Sequence, residues 1–409
     1  MLNEKIKKLS QGLHSMAVFR SVLKDDVVAA LIHFFDVAVG ENFCKTKAVD
    51  AYTEFVSRLY SVNSGNLSKH IQELVYNDEN VYTKCVGNGK KPTACLEESV
   101  LRELEILQSL SALKSDELIP LVNIESPLAK WENKDINLIE DYKQRIDAIH
   151  QFGYGIYARY HMFYIDDDNR ITPVKNPDST RLDDLVDYKR EQQIILDNTK
   201  ALLNGKPAAN VLLTGDAGTG KSSTIKAVVN ELYKEGLRIL EVRKEQLSII
   251  PSILDELTQN PLKFIIFIDD LSFQKDDDNF SALKAILEGS VSAKSQNVAI
   301  YATSNRRHLV KEKFSDREGD DIHFNDTMQE IISLSERFGI QITFNRPDKK
   351  TYLDIVHHLV EERGIEYDAE KLDVLAERFV LNRGSRSARA AKQFADSLVA
   401  NGNKDVVKD

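Results

Sequence analysis

The stretch Gly215-Asp216-Ala217-Gly218-Thr219-Gly220-Lys221-Ser222 decides how the chain is read. It fits the pattern G-x-x-x-x-G-K-[ST], a loop that wraps a phosphate chain in backbone N–H groups. Each residue type has a reason. Glycine allows close backbone approach and positive φ, and Gly218 and Gly220 stand where both are needed. Lys221 supplies a compact positive charge for the β- and γ-phosphates. Ser222 offers its hydroxyl to a magnesium ion. The apolar run Val211-Leu212-Leu213 leads into the loop. The run from Ser223 to Leu232 leaves it as a predicted helix, whose positive N-terminal end faces the phosphates. The expected ligand is ATP with magnesium, held by Gly215 to Ser223.

Working outward, two further apolar runs end in polar groups. Phe264-Ile265-Ile266-Phe267-Ile268 ends in Asp269-Asp270, and Val298-Ala299-Ile300-Tyr301-Ala302 ends in Thr303-Ser304-Asn305. Runs apolar at every position suit parallel strands buried on both faces, joined by helical crossovers. In such a sheet the C-terminal ends of the strands open on the ligand crevice. Asp269 is then placed to hold magnesium and Asp270 to orient or deprotonate water. Asn305 is placed to touch the γ-phosphate or that water.

These residues together resemble the AAA+ ATPases. Ile268-Asp269-Asp270 resembles their Walker B strand end, and Tyr301 to Asn305 resembles their sensor 1 strand, with Asn305 at the sensor position. Leu334-Ser335-Glu336-Arg337-Phe338 resembles the arginine-finger segment, before a last strand from Ile340 to Phe344. Gly384-Ser385-Arg386-Ser387-Ala388-Arg389 resembles the sensor 2 helix of the lid. Either Arg386 or Arg389 can face the phosphates there, and the Gly-x-Arg spacing favours Arg386. Leu182 to Tyr188 resembles the segment that borders adenine, with Tyr188 against the nucleotide. More narrowly, Phe267 to Phe273 and Tyr301 to Leu309 look like a bacterial AAA+ group known only as a domain of unknown function. The family has Glu as its usual second Walker B acid; here it is Asp270, one methylene shorter.

The resemblance implies an α/β fold: a P-loop NTPase core with a parallel sheet and a helical lid. A mainly helical N-terminal region precedes it. The expected divisions are 1–150 for that region, 151–177 for a β-hairpin and linker, 178–346 for the core and 347–409 for the lid. It also implies ATP hydrolysis to ADP and phosphate, driving remodelling of a partner. The catalytic set would be Lys221, Asp270, Asn305, Arg337 and Arg386, with magnesium on Ser222 and Asp269. Arg337 would act from a neighbouring subunit, so a homo-oligomeric ring, a hexamer by resemblance, is expected. The alternative is a slow-hydrolysing ATP-dependent switch, loader or adaptor, acting with or without nucleic acid.

Outside the motifs the pattern is less specific. The region up to about His150 shows helical spacing, as in Leu101, Leu104, Leu107 and Leu110, broken by a loop from Val86 to Pro92. It is the expected docking place of a protein partner. Val27 to Val39 reads as a buried helix, too short for a bilayer and carrying His33 and Asp36. The aromatic stretch Tyr154 to Ile165, the acidic turn Asp166 to Asn169 and Ile171 to Val174 read as a β-hairpin, followed by a linker from Lys175 to Ser179. Arg306, Arg307, His308, Lys311 and Lys313 form a local basic run, more in keeping with a solvated face than with a nucleic-acid site.

The 409 residues leave room for two or three domains. A 42% apolar and 29% charged composition is that of a globular protein. A net charge of −10 argues against unselective binding to nucleic acid or anionic lipid. Three widely spaced cysteines, Cys44, Cys85 and Cys95, read as free thiols in a reducing compartment. No segment is long and apolar enough for a membrane, and a cytoplasmic protein is expected.

Overall fold

The computed structural model describes residues 2–40, 43–271, 278–288, 296–305, 334–383 and 385–400. The chain folds as two compact units, Met1–Arg159 and Tyr160–Asp409.

The first unit is helical. Its most apolar helix, Asp26–Val39, starts at Asp25, whose carboxylate accepts from the backbone N–H groups of Val27 and Val28. Phe34, Phe35, Tyr52, Phe55 and Trp131 pack in its core. The leucine run lies on the helix Ala94–Ser111. Steps of three fall about 60° short of a turn each, so the run drifts around the helix. Leu104, Leu107 and Leu110 are buried, while Leu101 ends outside, 54% exposed. Glu103 on the same helix is buried among apolar side chains, and its carboxylate accepts from the N–H groups of Ala17, Val18 and Phe19.

The second unit is built on a seven-stranded sheet. Its strands are β1 (Met162–Ile165), β2 (Ile171–Pro173), β3 (Val211–Gly215), β4 (Leu237–Glu241), β5 (Lys263–Ile268), β6 (Val298–Ser304) and β7 (Ile340–Phe344). The order is β2-β1-β4-β5-β6-β3-β7, and every pairing is parallel except β1 with β2. β3 and β5 are buried almost throughout, as their unbroken apolar runs require. The helices Lys189–Leu203 and Lys221–Leu232 pack with them. Three helices, Lys349–Glu362, Ala369–Arg383 and Ala388–Ala400, form a lid with its own apolar core.

Two features of the sheet depart from the pattern read in the sequence. The antiparallel pair β1–β2 does not stand apart, because β1 pairs in parallel with β4 and so extends the main sheet. Its aromatic approach is not strand: Ile156–Arg159 is a short helix, set off by positive φ at Gly153 and Gly155. β4 itself is masked in the sequence by Arg238 and Glu241. Arg238 is buried all the same, its guanidinium donating to the carbonyls of Tyr233 and Leu237.

Candidate functional site

The phosphate loop joins β3 to the helix Lys221–Leu232. Gly218 has φ of 80° and Gly215 of 137°, both in the region that glycine alone enters readily. A Cβ at Gly215 would overlap the carbonyl oxygen of Phe344 on the adjacent strand. A Cβ at Gly218 would stand 3.1 Å from Arg389 Cβ and 3.2 Å from Ser387 Oγ. The loop is thus a cradle of bare backbone.

Lys221 is 5% exposed. Its ammonium donates to the carbonyls of Gly215 and Asp216, at 2.8 Å each, and to Asn305 Oδ1 at 3.0 Å. Burial lowers its pKa, against the opposing charges of Asp269, Asp216 and Asp270.

The strand ends carry the acids and their partners. Asp269 Oδ1 accepts from Ser222 Oγ at 2.7 Å and from Thr303 Oγ1 at 2.5 Å. The backbone N–H of Asp270 donates to Thr303 Oγ1 at 3.0 Å, and Asn305 Nδ2 donates to Asp270 Oδ1 at 2.7 Å. Asp270 holds φ at 53°, a conformation in which few non-glycine residues are found. Ser222 and Asp269 put two hard oxygen donors side by side. Such a pair fits magnesium, which takes one or two protein oxygens and fills its shell with phosphate and water. The structure therefore brings Lys221, Ser222, Asp269, Asp270 and Asn305 into one hydrogen-bonded cluster at the C-terminal edge of the sheet.

The cluster opens into a cavity of about 800 Å³, bounded by the loop, the segment from Asp178 to Gln192 and the lid. Tyr188 lines it with φ of 65°, its ring 4.7 Å from that of Phe344 and its hydroxyl donating to the carbonyl of Asn345. Burial, then the charges of Asp187, Glu191 and Asp216, raise the pKa of this phenol. Gln192, buried on the wall, donates its amide to the carbonyls of Leu185 and Asp187 and so fixes the segment beside Tyr188.

The lid places its arginines differently from the spacing read in the sequence. Arg386 is turned away from the cavity into a fork on Glu377, at 3.1 and 2.8 Å. Arg389 lines the cavity, and its backbone N–H donates to the carbonyl of Gly218 at 3.3 Å. The reason is where the helix starts. Ser387 Oγ accepts from the N–H of Ala390, and the helix begins at Ala388, so Arg386 precedes it and Arg389 lies in its first turn.

Arg337 is not brought to the cluster. It lies three residues before β7, and the loop meets β7 at its far end, where Gly215 pairs with Phe344. Four strand steps alone span about 13 Å. The basic run from Arg306 to Lys313 and the lid's Gly384 lie outside the described residues. Arg346, Gln192 and Lys392 are site neighbours that the motifs do not mark. A serine preceding the alanine-rich run at 388–391 was the available signal for Arg389.

A family model described as "Protein of unknown function (DUF815)" matches residues 158–402. No curated protein matches the chain. Among solved structures, the Thermotoga maritima RuvB Holliday junction branch migration motor is similar at 15% identity, with a TM-score of 0.37, over 56% of this chain and 68% of that one. A single-residue variant of the same RuvB is similar at 16% identity, with a TM-score of 0.38, over 56% and 67%.

Proposed function

Since the chain belongs to the DUF815 family, with an AAA+ P-loop fold, we propose that it binds ATP with magnesium and hydrolyses it to ADP and phosphate. The observation that carries this is the cluster of Lys221, Ser222, Asp269, Asp270 and Asn305 at the mouth of the cavity.

In the proposed reaction a water oxygen bonds to the γ-phosphorus as the bond to the β–γ bridging oxygen breaks. ADP leaves with that electron pair. Asp270 accepts the water's proton, its carboxylate held by the Asn305 amide. Lys221 and Arg389 offset the charge on the transferring group from within one chain. Ser222 and Asp269 hold the magnesium, which when bound neutralises charge on the phosphate oxygens. Arg337 belongs to the same proposal as a residue acting on a neighbouring subunit's nucleotide. Its place beyond the N-terminal end of β7 supports that reading over action in its own site.

The active form proposed is a homo-oligomeric ring, a hexamer, that couples hydrolysis to lid movement and so remodels a partner recruited by the helical N-terminal unit. The net charge of −10 favours a protein partner over nucleic acid. Among the described residues no helix is long and apolar enough to cross a membrane, and Cys44, Cys85 and Cys95 are free. The free thiols are in keeping with a cytoplasmic setting.

Titration calorimetry with ATP and ADP, and phosphate release with magnesium or with chelator, test the proposal. Wild-type protein is expected to bind both nucleotides and to release phosphate only with magnesium. Lys221→Ala should lose binding, and Asp270→Asn should keep binding while turnover falls about 100-fold or more. Absence of ATP binding by the wild-type chain would overturn the reading. A second reading, a slow ATP-dependent switch, is favoured by the short Asp270 pinned to Asn305. Tight ATP binding with negligible turnover at every protein concentration would select it.

A further inference from the structure

Asp216 is the one carboxylate within the phosphate loop. Its backbone carbonyl faces the cradle, accepting from Lys221 Nζ at 2.8 Å and from Thr219 Oγ1 at 2.9 Å. Its side chain is held at two points by Arg346, Nε to Oδ2 at 2.8 Å and Nη2 to Oδ1 at 3.2 Å. This is the planar fork that suits guanidinium and carboxylate, and a lysine would not reproduce it. Arg346 stands two residues beyond β7 and two before Asp348, the cap of the first lid helix. The pair therefore joins the loop to the connection between core and lid.

An uncompensated carboxylate at this point opposes a ligand that carries several negative charges. Both side chains are about half exposed, 47% for Asp216 and 56% for Arg346, so their pairing adds little to folding. Its consequence falls on the ligand instead. We infer that Arg346 is a positioning residue of the nucleotide site: it neutralises Asp216 and holds that carboxylate turned from the phosphates. The loop is then receptive to a triphosphate when the lid connection is docked on it. The inference rests on the nucleotide reading above.

The test uses the full chain and compares wild type, Arg346→Met, Asp216→Asn and the double variant in binding ATP and ADP with magnesium. Arg346→Met is expected to weaken ATP roughly five- to tenfold, and ADP less, because ADP carries less charge. Asp216→Asn is the reference for the double variant, because Asp216 is itself part of the loop. The double variant should bind ATP to within about threefold of Asp216→Asn, since the charge that Arg346 offsets is gone. The loss in Arg346→Met should shrink as salt is raised.

A merely structural arginine predicts no rescue and equal losses for ATP and ADP, and that result overturns the inference. So does ATP binding by Arg346→Met at wild-type strength. Should Arg346→Met not fold, Arg346→Gln takes its place in the same comparison, with the same outcomes deciding. If wild-type protein binds no nucleotide, the nucleotide reading falls and this one with it. If wild type binds and the rescue fails, only this one falls.

Discussion

The side-chain amide of Asn305 donates to Asp270 Oδ1 at 2.7 Å, while its carbonyl oxygen accepts from Lys221 Nζ at 3.0 Å. One planar group thus connects the ammonium of the phosphate loop with the carboxylate assigned to the water. Asn305→Ala should leave ATP affinity within about threefold and lower kcat roughly 10- to 100-fold, because Asp270 loses its hold. Asn305→Asp should do more harm, as it sets a second carboxylate beside Asp270. Parallel measurement of Kd and kcat checks this; weaker ATP binding with kcat unchanged would mean that Asn305 acts in binding alone.

The two lid arginines should separate in kind. Arg389→Ala is expected to weaken ATP binding or slow turnover, since it lines the cavity beside Gly218. Arg386→Ala should leave ATP affinity near wild type and lower the Tm, since its fork on Glu377 braces two lid segments. Calorimetric binding and thermal unfolding of both variants settle the assignment. A loss of ATP binding confined to Arg386→Ala would reverse it.

Arg337 and the loop lie toward opposite ends of β7, so a site completed by Arg337 needs another copy of the chain. Specific activity should then rise with protein concentration as subunits associate. Arg337→Ala should lower kcat by about 10³ or more. Mixing it with Lys221→Ala should restore part of the activity, because a mixed interface can pair an intact loop with an intact arginine. Strictly additive, unrestored rates would argue against a shared site.

Asp25 gives the first unit a pH-dependent term. Burial tends to raise its pKa, but the hydrogen bond and charge of His70 and the N–H groups of Val28 and Val27 outweigh that and lower it below 3.8. A carboxylate with a depressed folded-state pKa stabilises the fold fully above its unfolded value and loses that contribution as pH falls through the folded one. Asp25→Ala should therefore cost about 1–2 kcal/mol near neutrality, and the difference from wild type should shrink as pH falls below about 3.8. The chain's single tryptophan, Trp131, is buried in this unit and reports its unfolding in urea.

Much of the core was legible because its signals are local. The unbroken apolar runs of β3, β5 and β6 announce buried parallel strands, and the polar residues that end them fall at one sheet edge by topology alone. The motif spacing then brings Lys221, Asp269 and Asn305 together. What escaped depended on facts that spacing does not carry. β4 was hidden because Arg238, although buried, finds the backbone carbonyls of Tyr233 and Leu237. The place of Arg386 turned on a helix that starts only at Ala388. Arg346 and Asp216 are 130 residues apart, and nothing in either neighbourhood points to the other.

Gly215 sets a tolerance for the whole mouth of the site. Where β3 ends against β7, the room between the two backbones is that of one hydrogen atom, because a methyl group would fall on the Phe344 carbonyl. Any larger residue there would have to wedge the strands apart, and the displacement would be felt at once by Tyr188, which rests on Phe344 and bonds Asn345. Gly215 is thus a spacer gauge: it fixes how closely the strand that carries the phosphate cradle and the strand that carries the lid can lie.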